Sequence, residues 1–244
     1  MYDITVIIPT FKEAANIRNI ITEVDAVFKK QGIKGEILVV DDNSPDGTLS
    51  IVNEIKKTKD NVHLVVRLAD HGLSQSVADG FAHAFSEIFV VIDADLSHPP
   101  ALIPTMYEEI KAGNDIVIGS RYMEGGGIKK WPLKRRIISL GATFLGRLLF
   151  PHITDPVSGF FAVRKSVVER APLKPRGYKI LLEILGKGIW EKDKEIPFVF
   201  VDREIGSSKL TIKTIVDYSR QVIDIAAFSF THHESAIWKK WKRF

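Results

Sequence analysis

Ile88-Phe89-Val90-Val91-Ile92-Asp93-Ala94-Asp95-Leu96-Ser97-His98-Pro99-Pro100 is an apolar run that empties into two carboxylates and breaks at a pair of prolines. The five apolar residues predict a strand buried on both faces, the kind found in parallel sheets. The turn after such a strand lies at a sheet edge. Carboxylates at i and i+2 there form a hard, anionic oxygen cluster suited to a divalent cation, Mg²⁺ or Mn²⁺, and through it to a nucleotide diphosphate. An isolated Asp-x-Asp reads first as an acidic turn that closes a strand, so the rest of the chain decides between the two.

Toward the N-terminus the same pattern repeats. Ile4 to Ile8 reads as a strand ended by Pro9, Ala14 to Phe28 as a helix, and Glu36 to Val40 as a strand running into Asp41-Asp42-Asn43-Ser44. Thr48 to Lys57 then reads as a helix, Val62 to Arg67 as a strand, and Ser74 to Phe85 as a helix. This order predicts an α/β domain with a mostly parallel or mixed sheet flanked by helices, its ligand site beyond the carboxyl ends of the strands. Pro9-Thr10-Phe11-Lys12-Glu13, Asp41-Asp42 and Asp93-Ala94-Asp95 all fall on that edge, which argues for a nucleotide pocket. No G-x-G-x-x-G follows the first strand and no G-x-x-x-x-G-K-[ST] occurs, so hydride transfer and P-loop chemistry are disfavoured. Gly125-Gly126-Gly127 reads as a mobile loop or, alternatively, a phosphate cradle.

Composition bounds the object that carries this edge. With 244 residues, 45% hydrophobic and 26% charged, the chain can bury one substantial core. A net charge of +4 favours anionic partners, and no nucleic-acid motif accompanies it. The lack of cysteine excludes disulfides, thiolate metal sites and cysteine nucleophiles. Met1-Tyr2-Asp3 lacks the regions of a signal peptide, so export is not expected. No stretch reaches the ~18 uninterrupted apolar residues of a membrane span.

Four motifs together carry a family resemblance. Val6-Ile7-Ile8-Pro9-Thr10-Phe11-Lys12-Glu13, Val39-Val40-Asp41-Asp42-Asn43-Ser44-Pro45-Asp46-Gly47-Thr48, Asp93 to Pro100 and Gly119-Ser120-Arg121-Tyr122 resemble the GT-A glycosyltransferases of family 2. Within that family the chain is similar to polyprenyl-phosphate (dolichol-phosphate) mannose synthases. That narrower likeness rests on Trp131 to Ser139, Asp155-Pro156-Val157-Ser158-Gly159-Phe160-Phe161, and Val201-Asp202-Arg203 followed by Ser207-Ser208-Lys209-Leu210.

The resemblance implies a single Rossmann-like GT-A domain over residues 1–230, with a nucleotide-sugar half at 1–118 and an acceptor half at 119–230. It implies inverting transfer of mannose from GDP-mannose to a polyprenyl phosphate. Pro9, Phe11, Glu13, Val40 and Asp42 would line the nucleoside pocket. Asp93, Ala94 and Asp95 would hold the diphosphate through Mg²⁺ or Mn²⁺. The position two past Asp95 is often Gln in such enzymes, and here Ser97 would be the weaker third metal ligand. Arg121, Arg135 and Ser139 would bind the acceptor phosphate, while Arg203 and Lys209, with Arg121 alongside, would contact the donor. An acceptor phosphate with a second pKa near ~6 is mostly dianionic at neutral pH, so fixed cations matter more than a general base. Alternative readings keep the fold and lipid acceptor with UDP-glucose or another nucleotide sugar, or make the chain a sugar-nucleotide-binding subunit without catalysis.

Other residues admit two readings. His98 is read as a strand-end residue facing solvent, with a metal role as the alternative. Glu183, on a largely apolar helical stretch, is either the partner of a site arginine or a helix-surface residue. Asp155 is read as shaping the turn before Pro156, with sugar binding as the alternative. Ile137 to Phe150 and Leu210 to Phe230 have the composition of interfacial helices, core packing being the other option. Residues 231–244 form a basic-aromatic tail, Trp238-Lys239-Lys240-Trp241-Lys242-Arg243-Phe244, suited to an anionic membrane surface. His232-His233 receives no metal role. These features place the protein at the cytoplasmic face of a membrane, peripheral or anchored through a segment or subunit outside this chain.

Overall fold

A computed structural model of the chain describes residues 1–129, 131–175, 177–201 and 212–231. In chain order the elements are β1 (Ile4–Thr10), α1 (Ile17–Gln31), β2 (Gly35–Asp41), α2 (Thr48–Lys56), β3 (Val62–Val66), α3 (Leu73–His83) and β4 (Ile88–Val91). A 3-10 turn at Pro100–Leu102 leads into α4 (Ile103–Lys111), β5 (Ile116–Ser120), β6 (Gly127–Lys129) and α5 (Leu133–Leu149). β7 (Phe161–Arg164), α6 (Lys165–Val168), α7 (Ile180–Lys187), β8 (Asp193–Pro197), β9 (Val199–Val201) and α8 (Ile212–Thr231) follow.

The main sheet has seven strands in the order β3-β2-β1-β4-β7-β5-β8. β1 to β4 run parallel, and β7 is antiparallel to both its neighbours, β4 and β5. The sheet is therefore mixed, as expected. Chain order turns back between β1 and β4, and ligands of open α/β sheets bind at such a reversal.

Both faces of the sheet are covered. Ile4, Val6 and Ile8 pack with α1 residues Ile17, Ile20, Ile21, Val24 and Phe28, whose spacing makes one apolar stripe. Ile7, Leu38 and Val40 face the other way, toward Val77 and Phe81 of α3, in a second core that also takes in Leu181, Leu182 and Leu185 of α7. β1 runs two residues past its expected end, with Pro9 inside it. The Ile7 carbonyl accepts the Ile92 N–H, so Pro9, two residues on, also faces β4. Pairing with β4 ends at Ile7, and the missing N–H of Pro9 interrupts no ladder.

The triple glycine is a loop in part: Gly125 and Gly126 lie in a turn that the Gly126 N–H closes on the Met123 carbonyl at 2.9 Å. Gly127 opens β6, which pairs in parallel with β9. A Cβ at Gly126 would lie 2.7 Å from the Ser120 carbonyl oxygen. Close backbone approach accounts for that glycine without a bound phosphate.

Candidate active site

The turns after β1 and β2 are tied to each other. The N–H groups of Lys12 and Glu13 donate to Ser44 Oγ at 2.8 Å and Thr48 Oγ1 at 3.1 Å. Lys12 takes a left-handed φ of 62° to make this bend. Glu13 accepts from Asn16 Nδ2 at 2.8 Å, and Phe11 lies half-buried under the Lys12 ammonium. Asp41 receives Thr10 Oγ1 and both the N–H and the hydroxyl of Ser44. Asp42 receives the Arg67 guanidinium, Ser76 Oγ at 2.9 Å and the Gly72 N–H at 2.8 Å. Arg67 also grips Asp79 at 2.5 Å, and burial of its charge is more than offset by these two carboxylates, which raise its pKa. Pro9 and Val40 are buried, Val40 beneath α3, so its side chain supports the pocket floor.

The carboxylate edge follows β4. Asp93 and Asp95 are half-buried, while Ala94 and Ser97 are buried. The Ser97 N–H donates to Asp95 Oδ1 at 3.1 Å, and the buried Ser97 hydroxyl has no partner among the described residues. A Cβ at Gly159 would sit 3.6 Å from Asp93 Oδ2, so that glycine leaves the flank of Asp93 open. No cluster of three or more His, Cys, Asp or Glu side chains suited to a metal exists among the described residues. Two carboxylates and an orphaned hydroxyl nevertheless fit Mg²⁺ or Mn²⁺, ions commonly held by one or two carboxylates with substrate phosphates and water.

His98 departs from its expected place in solvent. It is 2% exposed, stacked on Phe160 at 5.3 Å and edge-on to Phe198 and Phe200. Its Nδ1 accepts the Asp93 N–H at 3.2 Å. Burial pushes its pKa down to about 3, the Asp95 charge opposing and Arg121 assisting. A neutral, aromatic-packed His98 fixes the backbone of the carboxylate turn.

The cations come from β5 and α5. Arg121 follows β5 and is bidentate to Asp155, Nε to Oδ2 at 2.7 Å and Nη2 to Oδ1 at 2.9 Å. Burial works against its charge, but Asp155 more than compensates and raises the Arg121 pKa. Asp155 is fully buried and thus committed to Arg121, which leaves the sugar-binding alternative without a free carboxylate edge. Glu195 of β8 supports the arrangement by accepting the Asp155 N–H at 3.0 Å and the Thr154 N–H and hydroxyl at 2.8 Å. Arg135 stacks on Trp131 at 4.3 Å, with the Arg121 guanidinium 5.7 Å from the same ring. Ser139, one turn along α5, bonds the Tyr122 hydroxyl at 3.0 Å.

The structure therefore joins Asp93 to the 155–159 turn through Gly159 and Arg121 to it through Asp155, links Arg135 and Ser139 to Arg121 through Trp131 and Tyr122, and keeps Asp95 and Ser97 on the turn that Asp93 opens. Arg203 and Lys209 lie outside the described residues, as do 232–244. Glu183 matches neither reading: it is buried and paired with Lys187 at 2.7 Å, and it accepts the Lys174 N–H at 2.6 Å. The sequence reading missed Arg67, Glu195 and Lys179. Arg67 was the most accessible of these, being a fourth polar residue at the same strand edge.

Residues 5–171 match the family described as Glycosyl transferase family 2. The chain is 48% identical over 222 residues to the dolichol-phosphate mannosyltransferase of Pyrococcus furiosus, covering 90% of this chain and 62% of that protein. It is 37% identical over 235 residues to the dolichol-phosphate mannosyltransferase of Mycosarcoma maydis, covering 93% and 80%. It thus spans less than two thirds of the Pyrococcus relative. Among solved structures, glucosyl-3-phosphoglycerate synthase of Mycobacterium tuberculosis, in complex with Mn²⁺, UDP and glucosyl-3-phosphoglycerate, is similar with a TM-score of 0.64. That likeness covers 92% of this chain and 78% of the other at 21% identity, and it concerns the fold.

Proposed function

This chain belongs to glycosyltransferase family 2, and on that premise we propose that it transfers mannose from GDP-mannose to the phosphate of a polyprenyl (dolichyl) phosphate, inverting the anomeric carbon. The observation that carries this reading is the convergence of a carboxylate edge, Asp93 and Asp95, with a guanidinium pair, Arg121 and Arg135, across the 155–159 turn. Transfer between two phosphate-bearing substrates must hold two repelling anions in line, and this layout separates a metal-suited side from a cationic side.

Bound at Asp93, Asp95 and Ser97, a divalent cation would neutralise charge on the departing diphosphate. The ordered turns after β1 and β2 would set Phe11 and Glu13 against the nucleoside, with Asp42 lining that pocket from behind, where it holds Arg67, Ser76 and the Gly72 N–H in place. Arg121, with one edge held by Asp155, and Arg135, set over the Trp131 ring, orient the acceptor phosphate, and Ser139 of the same helix as Arg135 supplies a hydroxyl. Arg203 and Lys209 belong to the donor side of this proposal. The acceptor oxygen is already ionised, so no residue has to remove a proton from it.

The acceptor also implies a membrane surface. Leu133, Ile137, Leu140, Phe144 and Leu148 form one exposed stripe along α5, Ile137 at 61% and Phe144 at 62%. Exposed Arg136 and Arg147 flank the stripe, and Val216 and Ile223 of α8 are exposed too. A basic-flanked apolar stripe suits a helix lying in a headgroup layer at the cytoplasmic face. No helix among the described residues is long and apolar enough to cross a membrane.

The test is to incubate the purified protein with Mn²⁺, a short polyprenyl phosphate and either GDP-mannose or UDP-glucose, then to analyse lipid products by mass spectrometry. Mannolipid from GDP-mannose is expected. Glucolipid alone would overturn the donor, and donor binding without product would favour the non-catalytic subunit.

A further inference from the structure

Among the described residues, Lys179, just before α7, is a cation beside the 155–159 turn that neither the motifs nor the proposed roles use. Its Nζ donates to the Val157 carbonyl at 3.1 Å, and its own carbonyl accepts Gln221 Nε2 of α8 at 3.1 Å. Val157 lies in the turn whose Asp155 grips Arg121 and whose Gly159 flanks Asp93. One five-residue turn thus braces two cations side by side and abuts the carboxylate edge.

Lys179 also lines a cavity of about 240 Å³ between α5 and α8, walled by Ile138, Ala142, Leu145, Tyr178 and Tyr218. It is the only charged residue of those walls among the described residues. The α5 contribution begins one turn after Arg135, and no wall comes from the β1–β4 edge. Lys179 thus borders the apolar slot while its ammonium sits on the Val157 carbonyl of the 155–159 turn, and an apolar slot that meets a cation at one end complements an amphiphile carrying one anionic head.

Resting on the acceptor reading above, we infer that Lys179 contacts the acceptor phosphate, making a third fixed cation with Arg121 and Arg135 at the inner end of the α5–α8 slot. Burial, then the Arg121 charge, pushes the Lys179 pKa down to about 8, with Asp155 and Asp93 opposing and Arg135 assisting. A tether to one carbonyl needs no ammonium. A charge held there beside another cation is costly in the free protein, and a bound dianion relieves it.

The test uses Lys179→Met and Lys179→Arg, each saturated with Mn²⁺ and GDP and titrated with a short polyprenyl phosphate or the matching polyprenol. Lys179→Met should weaken polyprenyl phosphate binding about 10- to 100-fold, the size of one charge-assisted hydrogen bond, and leave polyprenol and GDP affinities unchanged. Lys179→Arg should restore most of the loss. Binding of the phosphate within twofold of wild type in the Met variant would overturn the inference, as would an equal loss of GDP affinity, which marks a structural brace. Wild-type protein that binds polyprenyl phosphate yet makes no mannolipid would sink the proposed reaction while leaving the Lys179 contact testable by the same titration. Wild-type protein that fails to bind it would overturn both.

Discussion

The β1–β4 edge and the α5–α8 face are built on opposite principles. At the edge, polar groups satisfy one another in advance: Asp41 and Asp42 each accept three hydrogen bonds from side chains or backbone around them. On α5, large apolar side chains stand exposed along a single stripe, with no partner surface offered to them among the described residues. Pre-ordered polar turns lower the cost of binding a rigid polar ligand, because little has to be reorganised when it arrives. An exposed apolar stripe on a helix gains only when an apolar medium covers it. One region is thus complete by itself, and the other is complete against a second phase, which is what the proposed pairing of a water-soluble donor with a lipid acceptor calls for.

The sharpest way to break this comparison is at the carboxylate edge. Asp95→Ala should remove Mn²⁺-dependent GDP-mannose binding and lower turnover by about 10³-fold or more, since charge neutralisation on a leaving diphosphate is a dominant electrostatic demand. Isothermal titration with and without Mn²⁺ would read it. Unchanged metal-dependent binding would mean that the metal is held elsewhere.

Next in size is the pair that joins the two regions. Asp155→Asn leaves the buried Arg121 guanidinium facing an amide, and a broken buried pair costs about 3 kcal/mol or more of stability. Chemical denaturation should show that loss, with acceptor use falling alongside. Glu54→Gln, which removes the exposed Arg18–Glu54 pair at 2.5 Å, should stay within about 1 kcal/mol because water screens it. Similar losses in both variants would mean that the Arg121–Asp155 pair is not the hub between the two regions.

How much of this was legible follows from where the signals lie. The strands after residue 4 and the Asp93-Ala94-Asp95 edge could be read because a buried parallel strand leaves a continuous apolar run and its turn is local in sequence. Helix ends were less legible. α1 starts at Ile17 rather than Ala14 because Glu13 to Asn16 close a turn of their own before the helix. The antiparallel insertion of β7 between β4 and β5 leaves no mark on residues 161–164, since register and neighbour are set by packing. The site's cations were legible as residue types through the family resemblance. Their partners were not: Arg121 meets Asp155 across 34 positions, and Glu195 reaches Thr154 from 41 positions away. His98 misled for a related reason, because its aromatic cage comes from Phe160, Phe198 and Phe200, all distant in sequence.

The smallest expected effect tests the second region alone. Ile137→Ser with Phe144→Ser removes two side chains that are about three-fifths exposed, so neither fills a core cavity and the melting temperature should move by no more than a few degrees. Each would bury about 1.5–3 kcal/mol of apolar surface if a bilayer covered it fully. Partial insertion yields a fraction of that, so affinity for vesicles containing anionic lipid should fall by about tenfold as read by sedimentation. Turnover of a water-soluble, short-chain acceptor should be retained, because Arg135 and Ser139, proposed above to meet the acceptor phosphate, keep their places on α5. A double variant that binds vesicles as wild type does would assign the stripe to a protein partner, and the contrast between the two regions would then lie between two kinds of protein surface.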